Sequence, residues 1–229
     1  MLRRRSVLAL YRRLFSAYGP QNWWPADSPF EVMVGAVLTQ NTAWRNVEQA
    51  IAALKVRDLL DPGRIVSLPQ AELAALIRPA GYFNVKARRL ANLCRWLEEG
   101  GGLRRLSRQG TASLRASLLA VNGVGPETAD DILLYAFNRP VFVIDAYTRR
   151  LLQRLGWIGG DEPYETLRLA FEAVLDPDAD LFNEYHALIV RHAKEKCIAA
   201  RACRHCGVER PFLSRRGPGN RPAGATVRR

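Results

Sequence analysis

The 229-residue, 25.7 kDa chain is 48% hydrophobic and 24% charged, the composition of a globular protein with a buried core, and this excludes collagen-like, low-complexity and disulfide-scaffold architectures. Its 34 Lys and Arg against 22 Asp and Glu leave a net charge of +12 and an isoelectric point near 10.2, so a polyanion is the expected partner. Residues 1–13 and 207–229 each carry +5 of that charge, leaving +2 for the body, where Arg88/Arg89 and Arg149/Arg150 are the candidate local patches.

No apolar run reaches the roughly 18 residues that a membrane span needs, and Tyr11-Arg12-Arg13 interrupts anything like a secretory leader, so a cytoplasmic protein, monomeric and without membrane contact, is expected. Apolar residues recur at helical spacing and no period-two run is present, which predicts an all-α fold. Ser28-Pro29-Phe30-Glu31 has the form of a capping box and opens a helix buried nearly all round to Leu38. Val47, Ala50, Ile51 and Leu54 mark the next helix, and Leu90, Leu93, Cys94 and Leu97 a later one in which Cys94 reads as a core thiol.

Beyond Gly100-Gly101-Gly102, a helix over Leu114–Val121 leads to Asn122-Gly123-Val124-Gly125-Pro126. Two glycines within three residues permit a tight turn, and Pro126 suits the first turn of a new helix with Ala129, Ile132, Leu133, Ala136 and Phe137 inward. The result is helix, glycine hairpin, helix over about 113–137, and helix-start amides without a Cβ in the way suit a phosphate oxygen. The strip Val141–Ile144 then delivers Asp145 to the head of a helix burying Leu151, Leu152 and Leu155. Asp161 reads as the cap of a helix burying Leu167, Ala170, Phe171 and Val174, and a last helix over Leu181–Lys194 precedes Cys197, Cys203 and Cys206. From Leu213 onward a basic, disordered tail is expected.

Leu119 to Asp130 with Val143-Ile144-Asp145 closely resembles the hairpin and catalytic-Asp signature of the endonuclease III, or HhH-GPD, superfamily of DNA glycosylases. Leu38-Thr39-Gln40-Asn41-Thr42, Ala80-Gly81-Tyr82-Phe83-Asn84-Val85-Lys86-Ala87 and Tyr185-His186 to Cys197 are similar to further segments of that family, in order, over about residues 28–206. The resemblance implies two helical lobes, residues 28–145 as a six-helix module and residues 1–27 with 146–212 as the other. It also implies a duplex DNA partner carrying a damaged base, which is flipped into a cleft between the lobes. It places Asp145 as the carboxylate that stabilises positive charge at the sugar, Gln40, Asn41, Glu127 and Tyr147 near the flipped base, Gly123, Val124, Gly125 and Lys86 against the DNA, and Tyr82 or Phe83 as a wedge.

Two departures from the family pattern matter. Glu127 stands where bifunctional members carry the Schiff-base Lys, so hydrolysis without strand cleavage is expected unless Lys86 or another amine substitutes. Glu127 with Ala129-Asp130 looks more like the 3-methyladenine-type branch, with an alkylated purine as substrate. The family's four-cysteine iron–sulfur loop is reduced to Cys197, Cys203 and Cys206, which leaves open a [4Fe-4S] cluster with incomplete ligation, another metal held with His205 or His192, or no metal. A bifunctional lyase and a non-catalytic hairpin DNA-binding protein are the alternatives to a monofunctional glycosylase.

Overall fold

A computed structural model describes residues 2–197; Cys203, Cys206, His205 and the tail from Leu213 lie outside the described residues. The chain there is helical, with no strand among the described residues, and comprises α1 (Arg4–Tyr18), α2 (Pro29–Leu38), α3 (Trp44–Val56), α4 (Pro62–Ser67), α5 (Gln70–Leu76), α6 (Phe83–Glu99), α7 (Gly102–Leu106), α8 (Thr111–Leu119), α9 (Pro126–Asp131), α10 (Ala146–Arg154), α11 (Tyr164–Glu172) and α12 (Ala179–Lys196).

The local signals act through specific atoms. The Ser28 hydroxyl accepts the Glu31 amide at 3.1 Å, and the Glu31 carboxylate reaches back to the Asp27 amide at 3.0 Å, so two donors at the start of α2 are satisfied. Every residue of α2 from Phe30 to Leu38 is buried, which makes it the helix around which the others pack. The Arg-rich start is itself a helix, because Val7, Leu10 and Leu14 form a buried stripe beneath the arginines of α1. Asp161 does not cap α11. Pro163 takes the capping position, and the nearby turn is closed instead by Glu162, whose carboxylate accepts the Gly159 and Gly160 amides at 2.7 and 2.9 Å.

The buried side chains form two clusters. The first is drawn from α2 to α9 with the start of the segment that follows, from Phe30 to Val141, and includes Cys94, whose thiol burial pushes up to about 12. The second joins α1 to residues 134–197, from Val7 to Cys197. A π-helical segment, Ile132–Ala136, continues α9 and passes from one cluster to the other: Ile132 and Leu133 pack in the first and Leu134 in the second. An ionic lattice spans the same junction. Arg115 of α8 grips the fully buried Asp130 carboxylate through two bonds of 2.6 and 3.0 Å and reaches Glu165 of α11 at 2.5 Å; Arg168 extends the lattice to Glu172, which in turn accepts the Phe142 amide at 3.0 Å. This anchors the strip leading to Asp145.

Candidate active site

The cleft between the clusters holds a cavity of about 500 Å³. Its aromatic side is built by Trp23 and Trp24, from the segment joining α1 to α2, and Trp44 at the head of α3; the Trp24 and Trp44 rings meet edge-on at 5.1 Å. Gly35 makes the room, since a Cβ there would stand 3.2 Å from the Trp24 ring. Across the cavity stand three carboxyl groups, Glu127 and Asp131 one turn apart on α9 and Asp145 at the head of α10, with Tyr147, His186 and Lys194 alongside.

Asp145 caps α10, one of its oxygens accepting the Thr148 amide at 2.7 Å, and the other lies 3.6 Å from Nε2 of His186. Burial works to raise its pKa, but His186 and the Thr148 amide outweigh that, so the carboxyl sits below the usual Asp range and is ionised at neutral pH. The carboxylate keeps 14% of its side-chain surface open to the cleft. Glu127 behaves oppositely. Desolvation first, and the Asp145 charge second, push it up to about 7, against the opposing pull of His186 and Arg149. Asp131, sealed further in, is held well above the carboxylate range by desolvation and then by Glu127, Asp145 and Asp130. The site therefore offers one firmly ionised acid flanked by two whose protons are easily kept.

The sequence-predicted residues divide between this cavity and a neighbouring groove of about 790 Å³ beside the hairpin. Asp145, Glu127, Asn41 and Tyr147 line the cavity, and Asn41 adopts a left-handed backbone at φ 53° that turns the chain over its rim. Gln40 does not line it: its amide donates to the Gly123 carbonyl at 3.2 Å and to the Thr128 hydroxyl at 2.9 Å, and its oxygen accepts from Arg89 at 2.5 Å. It buttresses the hairpin from behind. Gly123, at φ 100°, is bound to be glycine twice over, because a Cβ would also fall 2.2 Å from Cγ of Arg89.

The Val124 amide is spent on the Val121 carbonyl at 3.0 Å and its side chain is buried in the first cluster, so this hairpin residue offers no donor outward, while Gly125 stands exposed beside it in the groove. Lys86, expected against DNA, is instead 1% exposed, its ammonium donating to the Leu38 carbonyl at 2.8 Å and the Ala80 carbonyl at 2.7 Å. Desolvation and the neighbouring Arg89 bring it down to about 8. It closes the C-terminus of α2 and cannot meet a sugar. Of the two wedge candidates, Phe83 packs against the first cluster and Tyr82 stands 73% exposed.

Sequence reasoning missed the tryptophans, Tyr135, Asp131 and the role of His186. The glycine in the middle of the otherwise bulky apolar run from Val32 to Leu38 in α2 was the one signal of a ring pressed against that helix. For a cluster, the donor set falls short: a cubane takes four thiolates, the loop supplies three cysteines, and Cys94 is sealed in the first cluster while Cys197 belongs to the second. No group of three His, Cys, Asp or Glu able to hold a metal occurs among the described residues. No described helix is long and apolar enough to cross a membrane.

A two-cluster helical fold with a glycine hairpin and a carboxylate in the cleft defines a class, and comparison with known proteins agrees. Residues 34–177 match the family described as HhH-GPD superfamily base excision DNA repair protein. A protein of Methanocaldococcus jannaschii that carries the provisional name DNA repair glycosylase is 46% identical over 212 residues, 91% of this chain and 96% of its own. Endonuclease III of Thermotoga maritima is 29% identical over 87% of this chain and 90% of its own. Among solved structures, the 3-methyladenine DNA glycosylase MagIII of H. pylori bound to 1,N6-ethenoadenine superposes with a TM-score of 0.72 at 32% identity, covering 85% of this chain and 99% of that one. An endonuclease III–DNA complex shares the fold, with a TM-score of 0.76 at 21% identity over 93% of this chain and 95% of that one. The chain belongs to the HhH-GPD superfamily of base-excision-repair DNA glycosylases.

Proposed function

We propose that the protein hydrolyses the N-glycosidic bond of an alkylated, cationic purine flipped out of duplex DNA and leaves the abasic strand intact. The observation that carries this reading is the composition of the cavity: tryptophan faces on one side and Glu127, Asp131 and Asp145 on the other. Aromatic rings and the ionised Asp145, joined by Glu127 once it loses its proton, attract a flat cation, and neither rewards a neutral base comparably. An alkylated purine is already a good leaving group, so one ionised carboxylate stabilising positive charge at the sugar is adequate machinery. Asp145 supplies that carboxylate and also orients the attacking water.

The remaining residues fit binding. The hairpin at Gly123–Gly125 and the guanidinium groups of Arg89 and Arg149 in the groove beside it meet the phosphates next to the target nucleotide. The exposed Tyr82 enters the stack and holds the gap. Glu127 cannot form an imine, and Lys86 is enclosed, which supports hydrolysis without lyase chemistry. Lys194, whose ammonium lies 5.7 Å from the Trp23 ring centre and 5.3 Å from that of Tyr147 in the cavity wall, is the observation that favours the second reading, a lyase with a displaced amine.

The test is release of free base from methylated duplex DNA by the wild type and by Asp145→Asn, with borohydride trapping on abasic DNA alongside. Base release abolished in the variant and no covalent adduct support the proposal. Equal release by both proteins overturns the role of Asp145, and a trapped adduct lost in Lys194→Met establishes the lyase.

A further inference from the structure

Beside Asp145 lies a buried pair, His186 and the Tyr135 hydroxyl that touches its ring. His186 is 4% exposed, on α12; its Nδ1 stands 2.5 Å from the Tyr135 hydroxyl, and its Nε2, which has no hydrogen-bond partner among the described residues, faces the outer oxygen of Asp145 at 3.6 Å. A buried ring nitrogen without a partner is costly, and among the described residues the acceptor at ion-pair distance from it is the Asp145 carboxylate.

The geometry points to Tyr135 and His186 as positioning residues, which present an Nε2–H to Asp145 and so hold its carboxylate ionised and aimed into the cleft. This inference rests on the glycosylase reading for its consequence in catalysis, but not for its electrostatics.

The chemistry of the pair decides the tautomer. Burial, and then the carboxylates Asp131, Asp145 and Glu184, hold the Tyr135 phenol well above its ordinary pKa, so it keeps its proton and can donate it. Donation from the hydroxyl to Nδ1 requires a lone pair there, which puts the single proton of a neutral imidazole on Nε2. In the imidazolium form Nε2 also carries a proton. The excluded arrangement, a lone pair on Nε2 against the Asp145 carboxylate, is the one that repels. Asp145 is then held from two directions, by a hydrogen bond from the Thr148 amide to one oxygen at 2.7 Å and by the charge of the His186 Nε2–H beside the other at 3.6 Å. At 3.6 Å the second contact is longer than a hydrogen bond, so His186 acts on Asp145 through the charge and orientation of its Nε2–H.

The charged and titratable groups around Asp145 come from four elements: Glu127 and Asp131 on α9, Tyr135 on the π segment, Tyr147 on its own helix, and His186 and Lys194 on α12, with Arg149 acting on Glu127 from the neighbouring groove. Tyr135→Phe removes one oxygen, His186→Phe removes the donor, and His186→Gln returns an Nε2 donor at the same reach.

In single-turnover base excision, His186→Phe and Tyr135→Phe are expected to slow the chemical step by roughly 10- to 100-fold, the scale of lost outer-sphere partners, with DNA affinity unchanged and His186→Gln recovering most of the rate. The acid limb of the pH–rate profile moves up by about one pH unit in both Phe variants, because Asp145 loses the group that favours its ionised form. Carbon-13 titration of the Asp145 carboxyl in the DNA-free protein reads the same displacement without any turnover. An Asp145 titration that is identical in wild type, Tyr135→Phe and His186→Phe overturns the inference, whatever the activity. Should His186→Phe fail to fold, Tyr135→Phe carries the test. Loss of base release in the wild type sinks the glycosylase reading and leaves the titration to decide the pair.

Discussion

Gln40 donates its side-chain amide to the carbonyl of Gly123, 83 residues further along the chain, at 3.2 Å. One side chain at the end of α2 thereby sets the height of the glycine hairpin above the cleft, and Arg89 completes the brace from α6. Gln40→Ala leaves the fold in place but frees the hairpin. Affinity for abasic-analogue duplex should fall about tenfold, near 1.4 kcal/mol, in line with the loss of hydrogen bonds to a backbone that binds phosphate. Fluorescence anisotropy at fixed salt measures this, and an unchanged Kd contradicts the bracing role.

Glu127 controls charge in the cavity over the physiological range. Its carboxyl, pushed up to about 7 by desolvation and Asp145, is neutral below that pH and anionic above it. Binding of a cationic alkylated base in the wild type should therefore strengthen as pH rises through 7. Glu127→Gln should lose the dependence and bind as the wild type does at pH 6. Titrating affinity for a duplex that carries a non-hydrolysable cationic base analogue, with Asp145 in place in both proteins, reads it directly.

Glu127→Lys places an amine opposite Asp145 in the same cavity. With the sugar's C1′ between them, the variant should form a borohydride-trappable imine and nick abasic DNA, which the wild type should not. The absence of adduct in the variant would mean that residue 127 lies out of reach of the sugar.

Lys86 is a stability residue. Replacing it with Met removes the partner of two buried carbonyls and should cost about 1–3 kcal/mol in urea unfolding. The pH dependence has a definite sign: with the amine at about 8 in the fold and near its ordinary value when unfolded, the unfolded chain binds more protons between those limits. Lys86 therefore makes wild-type stability gain as pH rises through that window, a gain missing in Lys86→Met.

Asp130 sits with no exposed side-chain surface beneath Arg115. Asp130→Ala strands that guanidinium at the junction of α8, α9 and α11, and a loss of roughly 3 kcal/mol is expected, the usual cost of breaking a buried pair from one side. Thermal unfolding checks it; a loss below about 0.5 kcal/mol, the range of an ordinary surface change, would show that Glu165 alone satisfies Arg115.

Much of this architecture is written locally along the chain. Helical periodicity, the Ser28 capping box, the Gly123–Gly125 turn and the cap at Asp145 depend on neighbours within a turn or two, so residue order alone carries them, as it does the core position of Cys94. Short helices such as α4 and α7 and the Arg-covered α1 escaped because a stripe of two or three apolar residues is no stronger than chance. The site was legible where a motif names it, and elsewhere was not. Lys86 in a familiar segment looks like a DNA contact, yet only packing shows that two carbonyl groups have already taken its ammonium. The tryptophans, Asp131, Tyr135 and His186 come from segments as many as 163 residues apart, and the electrostatics that separate an ionised Asp145 from a half-titrated Glu127 arise only when α9, α10 and α12 close around one cavity. Desolvation and charge proximity are properties of three-dimensional neighbours, and they were decided by tertiary structure alone.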